Sequence, residues 1–260
     1  MHSMQATRFL AGAFTTIVLS LQAAPLTAQG QPAADLPTAE QITAHFIEAL
    51  GGSAALRRHS SFEAVGTVAV PAQGITATLE YQIAAPNKVF MRANIPGLGE
   101  ITRGYDGEVG WSINPALGPA VMSGRELDQM REQADFFGPL TRGQFVDSMR
   151  TVERTDFDGH PCYAVKVFTK WGESFVEYYD VESGLLAGSV RTVSTAMGDM
   201  ESTNYARNYR DFGGVLMPTE TVQSTMGVDQ IVSFDSVTYD AVDPAVFELP
   251  EAIKALVGGN

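Results

Sequence analysis

The side chains that could carry chemistry are few and scattered. His45 falls on a helical pattern, His59 at a helix end and His160 in a turn. None stands at a spacing that pairs it with a carboxylate, so each reads as a surface histidine. His160-Pro161-Cys162 has the residue types of a metal pair, but two ligands on one strand with no second pair elsewhere do not complete a tetrahedral set. The reading is a turn histidine beside a buried thiol. Cys162 is the single cysteine, which excludes an internal disulfide. No Gly-x-Ser-x-Gly elbow, His-Glu-x-x-His helix or phosphate-cradling glycine loop occurs. Gly97-Leu98-Gly99 follows Pro96 between two strand patterns and lacks the helix a dinucleotide site needs. Glu126 and Asp128 are helix-start charges before they are acids of a mechanism. The expectation is a non-enzyme, with no catalytic residue, metal ligand set or cofactor.

Binding is the chemistry the remaining residues can do. Trp111 and Tyr81 suit core packing as well as ligand contact. Among the 10 methionines, Met91 and Met130 fall on apolar faces, where a flexible thioether suits either an irregular guest or a gap in the core. Which of these holds depends on the elements that position them.

The stretch from Ala85 to Pro115 is the most informative. Asp106-Gly107 lies between Ile101-Thr102-Arg103-Gly104-Tyr105 and Glu108-Val109-Gly110-Trp111-Ser112-Ile113, a strong signal for a two-residue hairpin turn. That turn sets Tyr105 opposite Glu108, Thr102 opposite Trp111 and Glu100 opposite Ile113. Val109, Trp111 and Ile113 then share an apolar face, and Arg103, Tyr105, Glu108 and Ser112 a wet one.

Upstream, Thr38-x-x-Gln41 is a capping box that opens a helix with Ile42, Phe46 and Leu50 on one stripe, stopped by Gly51-Gly52. From Phe62 the period becomes two. Ala64, Gly66 and Val68, then Ala77, Leu79 and Tyr81, then Val89, Met91 and Ala93 hold one face of an antiparallel sheet. Ser123-x-x-Glu126 opens a second helix striped by Leu127, Met130, Ala134 and Phe137 and ended by Gly138-Pro139. Strand patterns resume near Met149 and continue to Tyr239, punctuated by glycine turns. No strand-helix-strand alternation occurs.

The fold expected is mainly β with a few helices: a single antiparallel, strongly curved sheet of about eleven strands, an incomplete barrel with helices covering its concave face. Roughly eight strands close on a self-filled interior, whereas ten or more curl around a space. Small inward residues such as Ala64, Gly66, Ala77 and Ala93 leave that space partly vacant. Its expected lining is Val68, Leu79, Tyr81, Met91 and Trp111 from the sheet and Leu127, Met130 and Phe137 from the helix.

The order of short motifs adds to this. Pro86-Asn87 opening a strand, then Asp106-Gly107, Trp111 and Asn114-Pro115, with Val242-Asp243-Pro244, Phe247 and Pro250 near the end, resembles the LolA-like, outer-membrane lipoprotein-sorting superfamily. The resemblance implies a half-barrel that carries a lipid or the acyl chain of a lipoprotein toward the outer membrane, with an outer-membrane or envelope protein as partner. In the lipoprotein carriers an arginine before that first Pro-Asn latches the helical lid; here it is Ala85, so the family fold does not by itself imply lipoprotein transfer. The alternative is an envelope-stress sensor or scaffold of the same fold that binds a partner protein. A lipid or cell-wall enzyme would require two carboxylates, or a histidine and a carboxylate, within hydrogen-bonding reach inside the cavity.

Residues 1–30 read as a cleaved export signal, with Arg8 before an apolar run from Phe9 to Leu21 and small residues to Ala28 and Gly30. The run is too short to be a stable membrane span. No cysteine follows for lipid attachment, 31–37 is a linker, and 38–260 forms the half-barrel, which places the mature chain in the periplasm. A net charge of -13 argues against nucleic acid.

Overall fold

Helix α1 (Ala39–Ala49) begins on a reciprocal cap: Gln41 N donates to Thr38 Oγ1 at 3.3 Å and Thr38 N to Gln41 Oε1 at 2.8 Å. Two orphan amides are thereby satisfied. A short α2 (Gly52–Leu56) follows. The computed structural model describes residues 36–195 and 198–258; the expected export signal and most of the expected 31–37 linker lie outside the described residues.

From Ser61 the chain is a meander of antiparallel strands: β1 (Ser61–Val70), β2 (Ile75–Ala84), β3 (Lys88–Ile95), β4 (Gly99–Tyr105), β5 (Gly110–Asn114) and β6 (Gly118–Val121). After α3 (Gly124–Gln133) and α4 (Gly138–Thr141) come β7 (Val146–Phe157), β8 (His160–Thr169), β9 (Ser174–Asp180), β10 (Leu186–Thr195), β11 (Gly198–Phe212), β12 (Val215–Thr225) and β13 (Val228–Tyr239). A short 3-10 turn at Pro244–Phe247 and α5 (Glu251–Val257) follow. All 13 strands of the described residues join one sheet, where about eleven were expected. The four-residue β6 opens on Gly118-Pro119 and carries no strand pattern of its own.

The spatial order is β6-β5-β4-β3-β2-β1-β13-β12-β11-β10-β9-β8-β7. The first strand therefore pairs with the last at the centre, and the two edge strands among the described residues are β6 and β7, which are consecutive in the chain. The segment between them, bearing α3 and α4, must reach from one edge of the open barrel to the other, and so crosses its concave face.

Register departs from expectation at one hairpin. Gly104 pairs with Trp111 and Thr102 with Ile113, because the loop is four residues long, not two. Asp106 Oδ1 accepts from the amides of Glu108 (2.8 Å) and Val109 (2.7 Å), an Asx-type turn that holds both residues outside the ladder. Arg103 and Tyr105, expected on a wet face, lie on the same side as Tyr81, Met91 and Ile101. Tyr105 is buried with Ile83, Val89 and Met122. Trp111 lies on the opposite, convex side. There it packs with Phe90, Phe247 and Ile253, so the C-terminal turn and α5 cover the outer wall. Gly104 is required beneath it, since a Cβ there would stand 2.7 Å from the Trp111 ring.

Two further clusters fix the helices inside. Ile42, Phe46 and Leu50 pack on Val165, Val167, Phe175 and Tyr179 of β8 and β9. Met130 and Ala134 pack on Ile83, Val89 and Tyr105. The expected cap of α3 does not form: Ser123 makes no side-chain cap bond, with Gly124 entering at φ 53°.

Candidate ligand-binding cavity

Between the concave face and the helices the structure leaves three adjoining lobes. One, of about 640 Å³, is walled by Val68, Ala77, Leu79, Tyr81, Met91 and Ala93 from β1 to β3, with Val232 and Phe234 of β13 facing them. The alternation of each strand supplies this wall, and the small residues at 77 and 93 keep it open. A second lobe, of about 490 Å³, lies under α1 and is lined by Phe46, Leu50, Phe62, Phe136, Tyr209 and Tyr239. The third, of about 460 Å³, is polar, with Arg103, Glu132, Gln133, Arg191, Asn204 and Gln223 around it. Volumes of a few hundred Å³ with mostly apolar walls and a few polar groups are those of small-molecule sites.

Tyr81 sits deep yet only part-covered, since the surface it keeps faces the cavity. Burial pushes its hydroxyl up to about 12, opposed by a hydrogen bond with Gln133. The lid carries its own buried polar bond set. Arg142 Nη2 donates to Glu177 Oε2 at 2.6 Å, and the Tyr179 hydroxyl donates to the same oxygen at 2.8 Å. Burial alone would lower the Arg142 pKa, but Glu177 and Tyr179 more than offset it and hold the guanidinium charged.

The sequence matches no protein-family model and no curated protein. Solved structures do match. A DUF1329 family protein from Desulfovibrio piger superposes with a TM-score of 0.58 at 10% identity, covering 80% of this chain and 96% of that one. A LolA superfamily protein from Nitrosomonas europaea gives 0.54 at 12%, covering 82% and 99%. A putative outer membrane lipoprotein-sorting protein domain from Vibrio parahaemolyticus gives 0.53 at 11%, covering 84% and 98%. The fold is LolA-like.

Within this LolA-like half-barrel, Val68, Leu79, Tyr81 and Met91 come together on one wall. Met130 reaches the polar lobe, while Leu127 packs in the cluster beneath α3. Phe137 is not on the α3 stripe: α3 ends at Gln133 and Phe137 precedes α4, against the Phe136 ring at 5.1 Å. Trp111 lines none of the lobes, being on the convex side. The residues missed are Arg103, Arg191 and Glu132. Arg103 and Arg191 stand in alternating strands, where charge reads as solvent-facing and only the register assigns it inward, and Glu132 stands on α3 outside the apolar stripe.

His59 lines the second lobe and has its Nδ1 2.7 Å from Asp240 Oδ2. Asp240 also accepts from Ser60 N (2.8 Å), Ser60 Oγ (3.1 Å) and Ser61 N (3.3 Å), and the His59 ring stacks on Tyr239 at 4.0 Å. The pair meets the distance an acid-base pair needs. Its hydrogen bonds join the start of β1 to the end of β13, and the Ser60 hydroxyl points at the carboxylate, not the imidazole, so no histidine-activated nucleophile is assembled. Cys162 is buried and burial pushes its thiol up to about 11, the reverse of a reactive cysteine. Among the described residues no group of three metal-ligating side chains forms and no helix is long and apolar enough to cross a membrane.

Proposed function

We propose that this chain is an exported binding protein that holds an acyl chain or another lipid-like molecule between its curved sheet and its helical lid. The observation that carries this reading is the cavity itself: Val68, Leu79, Tyr81, Met91 and Phe234 line about 640 Å³ that no side chain among the described residues fills. Apolar area transferred from water gains about 25 cal/mol per Å², so a long chain entering the lobe is stabilised by several kcal/mol before any hydrogen bond is made. The LolA-like fold supports the same reading, and Ala85 in the latch position separates it from lipoprotein transfer in particular. Export by residues 1–30 to the periplasm, and delivery toward an outer-membrane or envelope partner, complete the proposal.

Native mass spectrometry of the protein taken from its own host tests it. The expected spectrum shows a co-purifying lipid mass and a mature chain beginning after Ala28 or Gly30. A clean unliganded spectrum, with no uptake of a fluorescent fatty acid, would end the carrier reading.

A further inference from the structure

The three lobes differ in chemistry and are connected in a particular way. Arg103, Gln133 and Gln223 line both the polar lobe and the β1–β3 lobe. Ser189 and Asn204 line both the polar lobe and the lobe under α1. The two apolar lobes meet in turn at Phe62, Met217 and Thr221. One polar compartment thus borders two apolar ones, which is the outline of a molecule with one head and two tails.

The charges around the polar lobe narrow the head. Arg103 Nη2 lies 3.8 Å from Glu126, Arg125 Nε 2.8 Å from Glu173, and Arg142 is bidentate on Glu177. Arg191 and Glu132 are left over: among the described residues neither has a partner at ion-pair distance, and burial, only partly opposed by the field of Arg191, pushes the Glu132 carboxyl up, so that a cation placed beside it would restore its charge. The Arg191 guanidinium carbon instead lies over the Phe175 ring, 4.3 Å from its centre, a cation–π contact that steadies the side chain and does not use its N–H groups on a carboxylate. Glu132 is part-buried on α3. A lobe with one unmatched cation and one unmatched anion is complementary to a head that carries both charges.

We propose, resting on the carrier reading above, that the polar lobe takes the zwitterionic head of a two-chain phospholipid, its phosphate at Arg191 and its amine at Glu132, with one acyl chain in each apolar lobe. A planar guanidinium matches phosphate oxygens with paired donors. Gln133 and Gln223, at the border with the β1–β3 lobe, offer amide groups to the ester linkages.

The test uses the exported, mature protein, stripped of lipid by detergent exchange and offered phosphatidylethanolamine, phosphatidylglycerol, diacylglycerol and palmitic acid separately, with bound mass and affinity read by native mass spectrometry. Expected are one-to-one phosphatidylethanolamine complexes at least tenfold tighter than diacylglycerol. Arg191→Gln should remove that margin without changing diacylglycerol binding, and Glu132→Gln should bring phosphatidylethanolamine and phosphatidylglycerol to parity. If Arg191→Gln does not fold, as read by circular dichroism, Arg191→Lys takes its place and should lose part of the margin. Equal binding of diacylglycerol and phosphatidylethanolamine overturns the head-group site, as does a preference of the unaltered protein for phosphatidylglycerol. Uptake of palmitic acid alone overturns it too, while leaving the carrier reading intact; binding of no lipid overturns both.

Discussion

The backbone N–H of Phe136 donates to the carbonyl oxygen of Pro86 at 3.1 Å. The lid is thereby tied to the turn between β2 and β3 by a bond that needs no side chain, one residue from Ala85. On its other flank the lid is held by Arg125 on Glu173 and Arg142 on Glu177.

The Arg142–Glu177 pair should dominate closure. Its side chains are 20% and 10% exposed, and removing one partner strands the other in a buried place, at a cost of about 3–5 kcal/mol. Arg142→Ala is therefore expected to lower Tm by on the order of 10 °C in calorimetry. Replacing both partners with apolar residues of similar size, Arg142→Met with Glu177→Leu, should recover most of it. An unchanged melting curve for Arg142→Ala would show that the pair does not hold the lid.

Filling the vacancy should be cheap for folding and expensive for binding. Ala93 faces the β1–β3 lobe, and Ala93→Phe places a ring in space that is otherwise unfilled. Overpacking a solid core costs about 1–3 kcal/mol; here the melting temperature should stay within a few degrees while fluorescent fatty-acid uptake drops. A large loss of stability would mean the wall has no room.

The convex cluster should behave in the opposite way. Gly104→Val drives a side chain into the Trp111 ring and should destabilise by about 1–3 kcal/mol, and Trp111→Ala by about 3–5 kcal/mol, measured by denaturant titration. Neither substitution touches the lobes. Fatty-acid affinity per folded molecule should stay at the unaltered value, and a selective loss of binding in a fully folded Trp111→Ala protein would contradict the placement of this residue on the outer wall.

Asp240 gives a dependence on pH. The amide of Ser60 first, then His59, hold its carboxyl down to about 2 from 3.8. The folded state therefore favours the ionised form, and the stabilisation is present above pH 4 and lost as pH falls from about 4 to 2. Asp240→Asn should melt earlier than the unaltered protein at pH 6, and the gap should shrink toward zero near pH 2. A gap independent of pH would mean that the charge is irrelevant.

Much of this architecture was legible in the chain. The Thr38 cap, the single-sided alternation of β1 to β3 and the glycine-punctuated strands carry local information, and each element stands where its period places it. The hairpin at Asp106 shows the limit. A two-residue and a four-residue loop place Trp111 against Thr102 or against Gly104, and the Asp106 carboxylate, bonding to two following amides, selects the second. What makes Trp111 an outer-wall residue is contact with Phe247 and Ile253, far along the chain, which no local pattern reports. Arg103 and Arg191 escaped for a related reason: hydropathy sends charge outward, and only a wall curved around a lobe gives an inward guanidinium somewhere polar to reside.

The seam between β1 and β13 carries a last consequence. His59 and Asp240, 181 residues apart, sit side by side at the middle of the sheet, so neither half of the wall can be zipped to the other until the final strand is present. Closing so long a loop is slow, and a chain synthesised from its beginning would remain in two unjoined flaps until its tail arrived. The concave wall is thus the last part of the sheet to be completed, since its central seam joins the first strand to the final one.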